Sequence, residues 1–275
     1  MKVVPRPKRL FLVLTLLVVL GVCDSANSAT MRELAVSWQS SVCHLESYGG
    51  HLEFGTGFLI QTARPGSVLL FTARHVLESK DSVKVTLGVY DSSGARVARS
   101  AVFDVTKDGR RYYNISDTLQ DCAWMVLDII SLLRSLPAGS AVYGIKEESF
   151  VRSSDLLPGL PVLFSGYPAN LSVGDKTPLT RRGSIAGVDN SSRTVILDAM
   201  AVGGFSGSPV FLDKSQEICR AVPGVFVGLV YAKTELNRDF VTQDSSTSLI
   251  VPENIGIARV VPADVLLPSV RLLTR

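Results

Sequence analysis

Apolar and β-branched runs of four to eight residues, closed by Gly, Pro, Ser, Asn or Asp, dominate the chain from Ser41 onward. No other feature constrains the fold as much. A helix needs apolar residues at every third or fourth position over a longer window, and that periodicity is scarce here. Runs of this length between turn-forming residues read as strands. Candidate strands are Ser41–Glu46, Gly55–Gln61, Val68–Thr72, Ser82–Tyr90, Arg96–Val105, Ala123–Leu127, Pro161–Ser165, Thr180–Val188, Thr194–Leu197, Ser208–Leu212, Val225–Ala232 and Gly256–Val261. So many short strands argue for closed antiparallel barrels or a sandwich, because closure removes exposed edges. Leu127–Pro137 reads as one short helix or the start of a connector. The best boundary lies within Leu133–Pro161, where Leu136-Pro137-Ala138-Gly139 and Leu156-Leu157-Pro158-Gly159 act as breakers.

The N-terminus departs from this rhythm. Leu10–Val22 is an uncharged apolar run of 13 residues, preceded by Lys2, Arg6, Lys8 and Arg9 and followed by the small polar stretch from Asp24 to Ala29. It is shorter than the roughly 17–25 residues a membrane-spanning helix needs. Its plan is that of a secretory signal peptide cleaved near Ala26–Ala29. Residues 1–29 are therefore expected to be a signal, with no stable membrane span after cleavage and a secreted or periplasmic destination. A minor alternative is lipidation at Cys23, because Leu20-Gly21-Val22-Cys23 resembles a bacterial lipobox, with bulky Val22 where a small residue is expected.

Position also decides what the charge means. The chain has 28 Lys+Arg and 25 Asp+Glu; setting aside the four bases and one acid of the first 29 residues leaves 24 of each. The body is neutral, whereas a nucleic-acid-binding surface needs basic residues concentrated on it. No nucleic-acid partner is expected. Cys43, Cys122 and Cys219 follow the signal; two could pair and leave one free, or all three serve as small buried apolar residues. His44-Leu45-Glu46 and His51-Leu52-Glu53 flank Tyr48-Gly49-Gly50 and read as a hairpin with a Gly-rich turn. No diagnostic ligand spacing follows them, so no metal or other cofactor is expected. Asn114, Asn170 and Asn190 each begin a glycosylation triplet.

Three segments carry reactive chemistry: Phe71-Thr72-Ala73-Arg74-His75-Val76, Asp121-Cys122-Ala123-Trp124-Met125-Val126-Leu127 and Gly203-Gly204-Phe205-Ser206-Gly207-Ser208-Pro209-Val210. A serine hydroxyl is a poor nucleophile until an imidazole accepts its proton, and the imidazole needs a carboxylate to fix its tautomer. Glycines around Phe205-Ser206 let backbone amides aim at a developing oxyanion. Chain order then discriminates. All three histidines lie at or before position 75, which excludes a Ser…Asp…His order, and no aspartate lies between residues 30 and 75, which excludes Asp…His…Ser. His75…Asp121…Ser206 survives, with spacings of 46 and 85 residues.

In this order, the segments resemble the trypsin-like (chymotrypsin-fold) serine peptidases. The likeness is closest to their bacterial-type branch, which includes the high-temperature-requirement proteases and glutamyl endopeptidases. It runs from about Ser40 to Val261. Gly55-Thr56-Gly57-Phe58-Leu59-Ile60 resembles the family's glycine-bearing strand, Thr72-Ala73-Arg74-His75-Val76 its histidine motif, Gly166-Tyr167-Pro168 a recurrent second-barrel segment, and Gly228-Leu229-Val230 the strand lining the substrate cleft. The resemblance implies an all-β fold of two six-stranded antiparallel β-barrels with the site in the cleft between them. Residues 30–150 would form the first barrel, 151–262 the second and 263–275 a C-terminal tail. It implies His75 as general base and then acid, Asp121 as its orienting group and Ser206 as nucleophile. The amides of Gly204 and Ser206 would form the oxyanion hole. Asp117 is the competitor of Asp121.

The expected activity is serine endopeptidase action on a protein or peptide substrate by a monomer. The alternatives are a catalytically silent trypsin-fold binding module and an esterase on the same fold. Phe205 stands where trypsin has an aspartate that pairs with a new N-terminal amine, so that zymogen switch is not expected. The pocket wall by alignment is Met200, Val230, Tyr231 and Ala232; with no charge among them, cleavage after neutral, small or apolar residues is expected. The residues after Pro262 are too few for a PDZ domain, so a PDZ-gated cage is not expected.

Overall fold

The computed structural model describes residues 38–62, 67–90, 96–115, 120–128, 142–168, 177–241 and 248–272. The expected signal segment 1–29 with Cys23, most of the Leu127–Pro137 segment, Asp117 and the Asn170 triplet lie outside them. Fifteen strands are described: β1 (Val42–Tyr48), β2 (Glu53–Gln61), β3 (Ser67–Thr72), β4 (Ser82–Tyr90), β5 (Arg96–Asp104), β6 (Thr106–Lys107), β7 (Arg110–Arg111), β8 (Asn114–Ile115), β9 (Ala123–Asp128), β10 (Pro161–Gly166), β11 (Leu179–Asp189), β12 (Thr194–Asp198), β13 (Pro209–Leu212), β14 (Phe226–Val241) and β15 (Ser248–Pro262).

The second half is a closed six-stranded barrel in the order β10-β11-β12-β15-β14-β13. The first half is a seven-stranded antiparallel sheet, β5-β4-β1-β2-β3-β9-β8, where six strands were expected; the extra member is β8, two residues paired to β9. The architecture is chymotrypsin-like and mostly β. The His44/His51 segment is the expected hairpin, with Ser47 opposite Glu53.

Strands β2 and β3 carry apolar runs because both their faces are buried there, whereas β9 exposes Val126. Successive strand residues point to opposite faces. Leu59 of β2, Leu70 of β3 and Met125 of β9 enter a core within the first half, with Leu45, Val85 and Leu87. Their neighbours Phe58, Ile60, Leu69, Phe71 and Trp124 point the other way, into a core shared with Phe211, Phe226, Leu229 and Val261 of the second half. Each such large side chain contributes about 1.5–3 kcal/mol on burial, so the shared core fixes the two halves against each other where the reactive segments meet. Within the stretch expected as a C-terminal tail, Ala263–Leu272 form a helix whose Val265, Leu266 and Val270 join the shared core.

Beyond the barrel, β14 and β15 continue as a ribbon from Glu235 opposite Asn254 to Val241 opposite Ser248. This exceeds the expected strands Val225–Ala232 and Gly256–Val261. Cys43, Cys122 and Cys219 are all free and buried.

Candidate active site

Strand pairing brings His75 and Asp121 together. β3 and β9 are antiparallel, with Thr72 opposite Ala123. The chain leaves β3 at Thr72 into a short helix, Arg74–Leu77, and enters β9 through Asp121 and Cys122. Residues 46 apart in sequence thus meet at one end of a sheet. The His75 backbone N–H donates to Asp121 Oδ1 at 2.9 Å. His75 Nδ1 lies 2.5 Å from Asp121 Oδ2. The carboxylate therefore fixes both the ring's position and its tautomer: Nδ1–H donates to Oδ2, and Nε2 keeps a lone pair.

The electrostatics of the pair reinforce this arrangement. Burial works to lower the His75 pKa, but the Asp121 hydrogen bond and charge, with the Glu53 and Glu78 carboxylates, leave it raised above its ordinary value. Burial works to raise the Asp121 pKa, but the His75 hydrogen bonds and the His75 and Arg74 charges leave it lowered. The side chains are 41% and 24% exposed respectively, so the ring is open to a reactant.

Ser206 sits in the loop between β12 and β13, half-buried. Its carbonyl accepts from the Thr56 N–H of β2 at 2.9 Å, which ties this loop to the half that carries His75. On its C-terminal side, Gly207 N–H donates to Val230 O at 2.7 Å and Val230 N–H to Ser208 O at 2.9 Å, fixing the loop to β14. Gly207 has φ +89°, and a Cβ there would collide with the Thr56 carbonyl oxygen, so only glycine fits. On its N-terminal side, Phe205 N–H donates to Val202 O at 3.1 Å with Gly204 at φ +91°, the signature of a type II turn. The Gly204 and Ser206 amides have no acceptor among the described residues. Nor is the Ser206 hydroxyl hydrogen-bonded to His75 here; such bonds are often long in ligand-free enzymes and tighten when substrate binds.

Residues 55–218, more than half of the chain, match the trypsin-like peptidase domain. The chain belongs to the trypsin-like peptidase family. No curated protein matches it in sequence. Among solved structures it is similar to the HtrA-type protease AlgW with a tripeptide, at 15% identity and TM-score 0.51, covering 88% of this chain and 62% of that one. A serine-to-alanine variant of AlgW with a tripeptide gives 16% identity and TM-score 0.52, covering 90% of this chain and 64% of that one. Human heparin binding protein gives 14% identity and TM-score 0.51, covering 86% and 91%. The chain thus spans less than two-thirds of the AlgW chains, and at these identities the likeness establishes the fold.

Of the residues expected to form the pocket wall, Met200 is 52% exposed, Val230 is buried, and Tyr231 and Ala232 are half-buried. The pairing of β14 with β15 slips between Val230 and Ala232, a bulge at Tyr231 that turns the strand next to the Ser206 loop. Phe205 is fully buried, edge-on to Phe164 at 5.2 Å between ring centres.

Two residues here escape sequence reasoning. The Arg181 guanidinium lies 5.5 Å from the centre of the Phe205 ring and donates to Met200 O at 3.1 Å, adding a cation beside Met200. Thr56, in the glycine-bearing strand, donates from Oγ1 to Gly204 O at 2.7 Å. The only signal for Thr56 was its place between two glycines; nothing near Arg181 in sequence marks it.

Proposed function

We propose that this family member is an exported serine endopeptidase that hydrolyses peptide bonds through an acyl-enzyme. The observation that carries this reading is the two-point hold of Asp121 on His75, at a sheet end where the Ser206 loop is also bound through Thr56. In this reading Nε2 takes the proton of Ser206 Oγ as the oxygen attacks the scissile carbonyl. The Gly204 and Ser206 amides receive the oxyanion. The imidazolium, stabilised by Asp121, then gives its proton to the leaving amine. Water repeats the sequence on the acyl-enzyme with His75 again the base. Met200, Val230, Tyr231 and Ala232 form the wall against the substrate side chain. The substrate is a protein or peptide, the enzyme acts as a monomer, and neither nucleic acid nor cofactor takes part. No described helix is long and apolar enough to cross a membrane.

The test is covalent labelling of the protein lacking residues 1–29 by a fluorophosphonate probe, with Ser206→Ala as control. Labelling of the parent alone is expected, because only an activated hydroxyl reacts. An unlabelled parent would favour a silent binding module. A peptide and ester panel separates a peptidase from an esterase, and the cleaved bonds show whether neutral side chains are preferred.

A further inference from the structure

Every polar group of Thr56 is hydrogen-bonded, and its hydroxyl and N–H bond across the junction between the two halves. It is completely buried. Its Oγ1 donates to Gly204 O at 2.7 Å and accepts from Tyr167 N–H at 2.8 Å. Its N–H donates to Ser206 O at 2.9 Å, and its carbonyl accepts from Thr72 Oγ1 at 2.7 Å. We propose that Thr56 is a positioning residue for the oxyanion hole, holding the backbone that carries the Gly204 and Ser206 amides. The proposal rests on the reading of Ser206 as nucleophile.

A peptide group is planar, so holding its carbonyl also orients its N–H on the opposite side. The 204–205 plane is held at its carbonyl by the Thr56 hydroxyl and at its N–H by Val202 O. The 205–206 plane is held at its carbonyl by Ser208 N–H, which turns the Ser206 N–H the other way. The 206–207 plane is held by Thr56 N–H at one end and Val230 O at the other. The remaining plane, 203–204, lies between two glycines, the residues with the greatest freedom to rotate. It carries the Gly204 N–H. The Thr56 hydroxyl is the side-chain restraint on the plane immediately after it, so loss of that bond would let the Gly203-Gly204 turn sample orientations in which the Gly204 amide no longer faces the oxyanion.

Removing an oxyanion donor outright costs about 10²–10³ in kcat; misaligning one should cost less, roughly 10–100-fold. The experiment compares parent, Thr56→Val and Thr56→Ser on one peptide reporter and measures inhibition by a peptide boronic acid. The boronate adds to Ser206 Oγ and places an oxygen where the oxyanion develops. Thr56→Val should lose roughly 10–100-fold in kcat, with KM within about twofold, and the same factor in boronate affinity. Thr56→Ser, which keeps the hydroxyl, should restore both. Thr56→Ala removes the hydroxyl without valine's bulk and is read the same way if the valine variant fails to fold. Unchanged kcat, a kcat loss without a boronate loss, or no rescue by serine would overturn the proposal. Fluorophosphonate labelling of the parent separates the two failures. A labelled parent with an unaffected Thr56→Val removes the role of Thr56 alone, and an inert parent removes the nucleophile reading with it.

Discussion

Replacing Asp121 by asparagine puts the His75 pair to its most direct test. The side chain keeps its shape, but one acceptor oxygen becomes a donor NH2. In the parent, one oxygen accepts the His75 backbone N–H at 2.9 Å and the other faces Nδ1 at 2.5 Å. An asparagine that keeps its oxygen toward the backbone N–H turns its NH2 toward Nδ1. The ring must then present a lone pair at Nδ1 and carry its proton on Nε2, where it cannot accept the Ser206 proton. The flipped amide sets donor against donor at the backbone contact. Neither orientation preserves the base, and the expected loss in kcat near neutral pH is about 10⁴-fold, or about 5 kcal/mol of transition-state stabilisation at 1.36 kcal/mol per tenfold. The pH profile gives a second readout. In the parent the rate rises as His75 loses its proton, with a midpoint above 6.5 because its pKa is raised. Without Asp121 the burial that lowers the pKa is opposed only by Glu53 and Glu78, so the midpoint of the residual activity should fall. The assay is kcat for Asp121→Asn and Asp117→Asn across pH 5–9. A loss below about tenfold for Asp121→Asn, or an unmoved midpoint, would refute the reasoning; a large loss at Asp117 would transfer the role there.

The same pair predicts a stability profile. The lowered Asp121 pKa contributes stability above the ordinary carboxylate range that disappears as pH falls through the folded value, and the raised His75 pKa contributes stability below about 6.5 that disappears as pH rises through its folded value. The Tm difference between parent and Asp121→Asn should therefore be largest between about pH 4 and 6.5, and a difference that grows steadily toward alkaline pH would contradict it. Gly207→Ala, at φ +89° and against the Thr56 carbonyl, should destabilise by about 2 kcal/mol or more; an unchanged Tm would falsify the fit. Without residues 1–29, the three buried thiols should react with a thiol reagent only after unfolding, and reducing agent should leave the native Tm unchanged.

The parts of this fold legible in the sequence are those where one physical demand acts alone. β3 could be read because Val68-Leu69-Leu70-Phe71 is buried on both faces, leaving no polar interruption. The outer parts of β14 and β15 could not. Lys233-Thr234-Glu235-Leu236-Asn237-Arg238-Asp239 has no sustained apolar alternation, and its strand character comes from pairing with residues far along the chain. β8 was lost for a different reason: two residues are too few to carry a period. The site divides the same way. The contact of His75 with Asp121 could be anticipated because chain order among so few histidines left one arrangement, whereas Thr56 acquires its place through a hydrogen bond to a residue 148 positions away.

That distant contact explains how the loop can be ordered without a charged switch. A buried aspartate at this position needs a cationic partner, whereas Phe205 does not: it packs in the barrel core against Phe164, with the Arg181 guanidinium over its ring. Burial of such a ring contributes about 1.5–3 kcal/mol, and the aromatic pair about 0.5–1.5 kcal/mol more. Neither contribution depends on an amine released by cleavage. The Thr56 hydroxyl and the Phe205 ring hold the same stretch, one by hydrogen bonding to a carbonyl and the other by apolar packing. An HtrA-type protease and a heparin binding protein share this fold, so the architecture alone does not choose a function. In the proposed reading, the choice in this chain rests on how firmly those contacts hold the Gly204 and Ser206 amides.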